Sequence, residues 1–273
     1  MKILVIGSNG MAGHTITKYL KQHGYSVTTS ARNRADIKLD IETVKPNDAF
    51  FVSLHEYNFV INCVGLLVKD SIARPDRAAI INSWFPHYLE YSLENSATRL
   101  IHLSTDCVFD GKKGEYVEDD VHTEMTAYGS SKSFGEVNNA KDVTFRMSII
   151  GPELKSNGTG LLNWFLTTDQ IELQGWENAW WNGITTLQLA KCIDQYMNNP
   201  VITGVYHLVN NYNKINKYEL LVKFNELYQS NKTIIKTQGP KPVNKILIDT
   251  KLLVEFKIPD YDTMLTEMKE FNN

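Results

Sequence analysis

A chain of 273 residues, with 42% hydrophobic and 22% charged residues, can bury a full-sized core as one large domain or two closely joined ones. Its net charge of -3 at pH 7 argues against a nucleic-acid or anionic-membrane binder. No stretch approaches the ~20 apolar residues of a membrane-spanning helix.

The predicted elements alternate from the start. KILVI (2–6) is a short β-branched run, as expected of a strand buried on both faces. GSNGMAG (7–13) follows, and then HTITKYLKQHGY, a helix with Ile16, Tyr19 and Leu20 on one face and Gly24 at its end. SVTTSA (26–31) reads as the second strand and FVINCVG (59–65) as another. DRAAIINSWFPHYLEYSLENS (76–96) predicts one helix and RLIHLSTD (99–106) a strand. A helix beginning near Ala127 and the strand DVTFRMSII (142–150) continue the series. Such alternation implies an α/β fold, a Rossmann-type doubly wound parallel sheet.

After Gly151 the texture changes. GPELKSNGTG (151–160) reads as a loop or boundary. ITTLQLAKCIDQYM and NKYELLVKFNELY are amphipathic helices, with GVYHLV (204–209) a strand between them. The expectation is a nucleotide-binding domain over 1–152 and a smaller C-terminal α/β lobe, mainly substrate-binding, over 153–273. Segments around 183–210 are expected to return to the first domain.

Cys63, Cys107 and Cys192 are odd in number and widely spaced, which reads as reduced thiols, not as a disulfide framework or a zinc site. The seven histidines form no metal-binding pair, so no metal is expected. MKILVIG is too short an apolar run for a secretory leader. A soluble, cytoplasmic protein is the expectation.

Gly7, Gly10 and Gly13 stand between the first strand and the first helix. The first glycine suits a tight turn, the second close approach of backbone N–H groups to a pyrophosphate at the helix start, and the third close packing of helix on strand. Where the second strand ends, TTSARNR offers Ser30, Arg32 and Arg34 but no acid for a ribose. A guanidinium there can pair with a 2′-phosphate, which favours NADPH over NADH. The plainer reading is a set of solvated arginines.

TAYGSSKSFGE (126–136) places Tyr128 and Lys132 four positions apart, on one face of a helix. A phenol titrates near ~10, and a neighbouring ammonium favours its ionised form. The expectation is that Lys132 lowers the pKa of Tyr128, which then protonates a carbonyl oxygen while hydride attacks the carbon. LSTDCVFDG (103–111) supplies a second donor, Thr105, at the carboxyl end of a strand, with Asp106 beside it. A second pair at the same spacing, Tyr228 and Lys232, has no such strand end before it and reads as an exposed helix end.

With GSNGMAG, LSTDCVFDG and YGSSKSFGE placed, the chain resembles the extended short-chain dehydrogenase/reductases, and within them the dTDP-4-dehydrorhamnose reductase family. The resemblance implies NAD(P)H-dependent reduction of a nucleotide-linked 4-keto-6-deoxy sugar for surface polysaccharide synthesis. It gives Thr105, Tyr128 and Lys132 the catalytic roles, with Tyr128 and Lys132 also touching the cofactor. It lays Gly7, Gly10, Met11 and Ala12 along the pyrophosphate and sets Cys63, Val64 and Gly65 beside the cofactor. Asn82 would pack behind the triad. Related dehydratases carry Thr-Asp-Glu where this chain has Thr105, Asp106 and Cys107, which argues against dehydration. An epimerase holding NAD on the same triad stays open, as does a non-catalytic regulatory subunit. The substrate implied is a nucleotide sugar, and a homodimer is compatible with the family.

GWENAWWNG (175–183) carries Trp176, Trp180 and Trp181. They can stack a base or sugar ring while Asn182 and Thr185 hydrogen-bond it, or they can pack between the lobes. Trp181, Asn182, Thr105 and Asp106 are the candidate substrate contacts. Arg146, leaving a strand near the boundary, can reach a substrate phosphate or form a structural ion pair, and the ion pair is the expectation. Lys214, Lys217, Lys241 and Lys245 are basic positions open to a pyrophosphate or to solvent.

Overall fold

The structure, a computed structural model, describes residues 1–155, 158–251 and 256–272. Seven strands form the main sheet: β1 (Lys2–Ile6), β2 (Ser26–Ala31), β3 (Ile37–Lys38), β4 (Phe59–Asn62), β5 (Arg99–Thr105), β6 (Val143–Met147) and β7 (Gly204–His207). Their order is β7-β6-β5-β4-β1-β2-β3, and every neighbouring pair is parallel. The chain leaves β1 for β2 on one side and returns to β4 on the other. That reversal opens a crevice beyond the carboxyl ends of β1 and β4, where ligands bind in doubly wound sheets.

The strand sequences explain the two-sided burial. Ile3 and Val5 enter one core cluster while Leu4 and Ile6 enter another on the opposite face. The larger cluster is shared by both halves of the chain. It joins β1, β4 and β6 to Leu162, Phe165 and Leu173, and to the helices Thr186–Asn198, Lys217–Tyr228 and Tyr261–Asn272. β7, from the second half, lies against β6 with Tyr206 opposite Phe145.

The segment read as one helix over 76–96 is three: an α-turn Pro75–Ala78, a π-helical stretch Ala79–Trp84 and an α-helix Phe85–Leu93. Pro86 explains the widening. It has no N–H to give to the carbonyl of Asn82, four positions back, so the regular ladder cannot run through.

The rest of the second half is built on three small sheets. Ile149–Ile150 pairs with Ile184–Thr185, Glu172–Trp176 with Thr233–Thr237, and Ala179–Trp181 lies between Ile215–Asn216 and Val243–Asn244. Among the described residues no helix is long and apolar enough to cross a membrane.

Candidate active site

The glycine turn follows β1 directly. Gly7 has φ +80, and its N–H bonds the Ser30 carbonyl at 2.8 Å. A Cβ on Gly7 would come within 2.8 Å of Val64 Cγ2, so the residue is needed both for its left-handed backbone and for its size. A Cβ on Gly13 would overlap the Gly7 carbonyl, which makes Gly13 the contact of helix on strand. Gly10 precedes the helix Met11–Gln22, whose first turn carries no acidic residue. Its free N–H groups and dipole favour an anion.

Beside this turn lies a cleft of about 470 Å³ lined by Gly7, Gly10, Ser30, Arg32, Cys63, Val64 and Gly65. Met11, Ala12 and Gly13 do not line it; they contribute the start of the helix. Ser30 is fully buried, and its hydroxyl has no hydrogen-bond partner among the described residues. Arg32 is exposed and forms no hydrogen bond or ion pair among the described residues. A turn that a Cβ would fill, an acid-free helix start and an orphaned hydroxyl fit the pyrophosphate and ribose of a dinucleotide.

The end of β2 does carry no acid, but the fold brings acids in from the next segment. Asp40 and Glu42, of KLDIE, line the same cleft, as does Arg77 from the helix Pro75–Ala78. Reading the second strand alone missed them. The short β3 between Asp36 and Asp40 was the available signal.

The triad meets at the carboxyl end of β5. Thr126 caps the helix Ala127–Phe134, its hydroxyl accepting from Gly129 N–H at 3.3 Å. A Cβ on Gly129 would overlap Glu124 and the Cys107 carbonyl, and one on Gly135 the Asn82 carbonyl. Both glycines of the motif are therefore close-approach positions, which let the helix lie against the β5 exit and the π-helical stretch. Tyr128 is partly accessible, and burial raises its pKa above the usual phenol value. The neighbouring Thr105 hydroxyl opposes that rise. Lys132 is buried, donates to the Leu103 carbonyl at 2.7 Å, and has its pKa lowered by burial to about 8.

This changes the expected division of labour. Burial of the phenol outweighs any lowering by Lys132, whose ammonium is held on the Leu103 carbonyl of β5. The phenol is held protonated, the state an acid needs.

Behind the triad, Asn82 accepts from Leu66 N–H at 2.7 Å and donates to Ser131 Oγ and the Leu66 carbonyl, each at 3.0 Å. It thus ties the cofactor cleft to the triad helix. Arg146 is buried in an ion pair with Glu136, Nε to Oε1 at 2.8 Å and Nη2 to Oε2 at 2.6 Å. Glu136 also accepts from Ser104 Oγ at 2.5 Å, next to Thr105. Arg146 further donates to His207 Nε2 and His122 Nε2, each at 2.8 Å. His207 is held largely neutral, its pKa lowered by burial to about 4.

On the substrate side the predicted residues part company. Thr105 donates to Asp106 at 3.2 Å and accepts from Cys107 N–H at 3.1 Å. Asp106 is buried, its pKa raised by desolvation and pulled back by Lys245 and Lys217. Those two lysines therefore act on Asp106, next to Thr105, while Lys214 and Lys241 are exposed. Trp181 is 8% exposed and stacks on Tyr261 at 5.7 Å. Asn182 is buried, with both ends of its amide on Leu247, donating to O at 2.7 Å and accepting from N at 3.0 Å. Both residues hold segments together. Trp176 is 40% exposed. Tyr228 ends its helix and Lys232 lies beyond it, donating to the Thr168 and Gln170 carbonyls, so that pair shares no helical face.

The family model described as RmlD substrate binding domain matches residues 1–252. The chain belongs to this family. The spore coat polysaccharide biosynthesis protein SpsK of Bacillus subtilis is 28% identical over 215 residues, covering 77% of this chain and 73% of that protein. The dTDP-4-dehydrorhamnose reductase of Burkholderia thailandensis is 28% identical over 225 residues, 76% and 72% of the two chains. Methionine adenosyltransferase 2 subunit beta of Rattus norvegicus is 22% identical over 236 residues, 80% and 70%. Two solved structures share the fold. A dTDP-4-dehydrorhamnose reductase from Clostridium acetobutylicum has a TM-score of 0.80 at 20% identity over 100% and 99% of the chains. The Bacillus anthracis dTDP-4-dehydrorhamnose reductase in complex with NADP gives 0.79 at 17% identity over 98% of each.

Proposed function

We propose that this protein is an NADPH-dependent reductase of a nucleotide-linked 4-keto-6-deoxy sugar that serves surface polysaccharide synthesis. The observation that carries the reading is Tyr128, its phenol held protonated by burial, next to Thr105 at the end of β5, with Lys132 on the same helix and the glycine-turn cleft alongside. The relatives' names support the substrate class and the polysaccharide role. We place the boundary between cofactor domain and substrate lobe near residue 152, with the stretch around 183–210 belonging to the first.

NADPH, when bound, supplies hydride to the carbonyl carbon. Gly7, Gly10 and the start of the helix Met11–Gln22 hold its pyrophosphate. Tyr128 gives its proton to the carbonyl oxygen. Thr105 turns its hydroxyl from Asp106 to that same oxygen and fixes it. Lys132 lies within the buried site as a cation that steadies the phenolate left behind. Asp106, Lys217 and Lys245 border the substrate.

The test is cofactor oxidation by the purified protein, supplied with NADPH or NADH and a freshly generated dTDP- or UDP-linked 4-keto-6-deoxy sugar. One cofactor oxidised per sugar reduced is the expected result. A changed sugar with no net oxidation would replace the reductase by an epimerase. A second reading, a cofactor-binding regulatory subunit, draws on the likeness to methionine adenosyltransferase 2 subunit beta. It would be favoured by NADPH binding without turnover of any keto sugar.

A further inference from the structure

The nucleotide end of the cleft holds a charge arrangement that the reading above does not use. Glu42 and Arg77 lie 35 positions apart and meet as a bidentate pair, Nε to Oε2 at 2.7 Å and Nη2 to Oε1 at 2.5 Å. Arg77 is in direct contact with this carboxylate, and Arg32 and Arg74 act on it through charge alone. The hydrogen bonds from Arg77 hold the Glu42 carboxyl below its ordinary range, and the charges of Arg32 and Arg74 add to the effect. Arg74 has its own counter-ion, Asp76, at 2.6 Å. Arg32 has none among the described residues. Arg32, Arg77, Glu42 and Ser30 all line one cleft. Glu42 therefore sits as an anion paired with one guanidinium and within the field of two more. A phosphomonoester presents the same forked oxygens with greater charge.

We propose that Arg77 and Arg32 form a clamp for the 2′-phosphate of NADPH, and that Glu42 is the internal counter-ion the phosphate displaces. The inference rests on the nicotinamide-cofactor reading and deepens it. Arg77 trades the Glu42 carboxylate for the phosphate, so the pair opens only for the phosphorylated cofactor. An adenosine ribose without the phosphate leaves the pair closed. Glu42 is thus a specificity-determining residue: it weakens NADPH by competing for Arg77 and leaves NADH unaffected.

The experiment is calorimetric titration with 2′,5′-ADP and 5′-AMP, the adenosine ends of the two cofactors. The proteins are the wild type, Glu42→Gln, Arg77→Met and the double variant. The Glu42 and Arg77 side chains are 28% and 30% exposed, so each variant gives up a surface pair and folds. Glu42→Gln is expected to tighten 2′,5′-ADP by about fivefold or more, and Arg77→Met to weaken it by about tenfold, with 5′-AMP unchanged in both. The double variant should behave as Arg77→Met. Unchanged 2′,5′-ADP affinity in Glu42→Gln, or weakened 5′-AMP in the same variant, would overturn the proposal and leave the reductase reading standing. A wild-type protein that bound neither fragment would overturn both.

Discussion

The segments Thr126–Glu136 and Trp176–Asn182 both look, in sequence, like parts of a site, and the fold uses them differently. In the first, the local spacing carries through to three dimensions. Thr126 caps the helix, Tyr128 and Lys132 follow one turn apart, and Gly129 and Gly135 let it lie against its neighbours. In the second, three tryptophans within six residues end in different surroundings. Trp181 stacks on Tyr261, and Asn182 bonds the Leu247 main chain, while Trp176 stays 40% exposed. A helical motif fixes the relation among its own residues. An aromatic cluster takes whatever role the segments covering it leave open.

The sharpest separation of the two regions is Tyr128→Phe. Turnover should fall by ~10²–10⁴ while NADPH affinity and the thermal midpoint stay as in the wild type. Near-normal turnover would remove the tyrosine from the chemistry and erase the contrast.

Lys132 gives the next largest effect, read without substrate. Its folded pKa of about 8 lies below the ordinary 10.5 because burial disfavours the charged form. Below pH 8 both folded and unfolded chains carry the proton, and the desolvation penalty is fully present. Between about pH 8 and 10.5 the unfolded chain binds more protons, so the wild type should gain stability with rising pH. Lys132→Met should lack about 3 kcal/mol of that rise in urea melts across the interval. Parallel pH profiles would mean that Lys132 is not desolvated.

Asn182→Ala tests the packing role in the second region. It strands the N–H and carbonyl of Leu247, and should cost about 1–3 kcal/mol in a denaturant titration. Substrate KM should change little once the protein is folded. A KM effect without a stability loss would return Asn182 to the substrate site.

The smallest expected change is in the stability of Trp176→Ala, within about 0.5 kcal/mol of the wild type, since the side chain is largely outside the core. A raised substrate KM in that variant would show that one tryptophan of the three does serve binding, and would sharpen the comparison to a single residue.

Much of the fold was legible because parallel strands buried on both faces must be short apolar runs, and their helices must recur between them. KILVI, FVIN and VTFRM all became buried strands of the main sheet. The break in the helix over 76–96 was less visible, although Pro86 marked it. The Glu136–Arg146 pair was half visible: the ion pair at Arg146 was expected, but not its partner or the bonds to His122, His207 and Ser104.

What the sequence by itself determined is everything set by short-range geometry: the alternating strands and helices, the turn at Gly7, the Tyr128–Lys132 spacing and the hydroxyl at the end of β5. These depend on backbone conformation and side-chain period over a few residues. Only the tertiary structure decided which distant groups meet. It brought Glu42 to Arg77, put Lys217 and Lys245 near Asp106, set Leu247 on Asn182, and held Lys132 on the Leu103 carbonyl while burial kept Tyr128 protonated. Charge pairing and desolvation depend on the surroundings a side chain finds after the chain has closed on itself, and no local pattern encodes them.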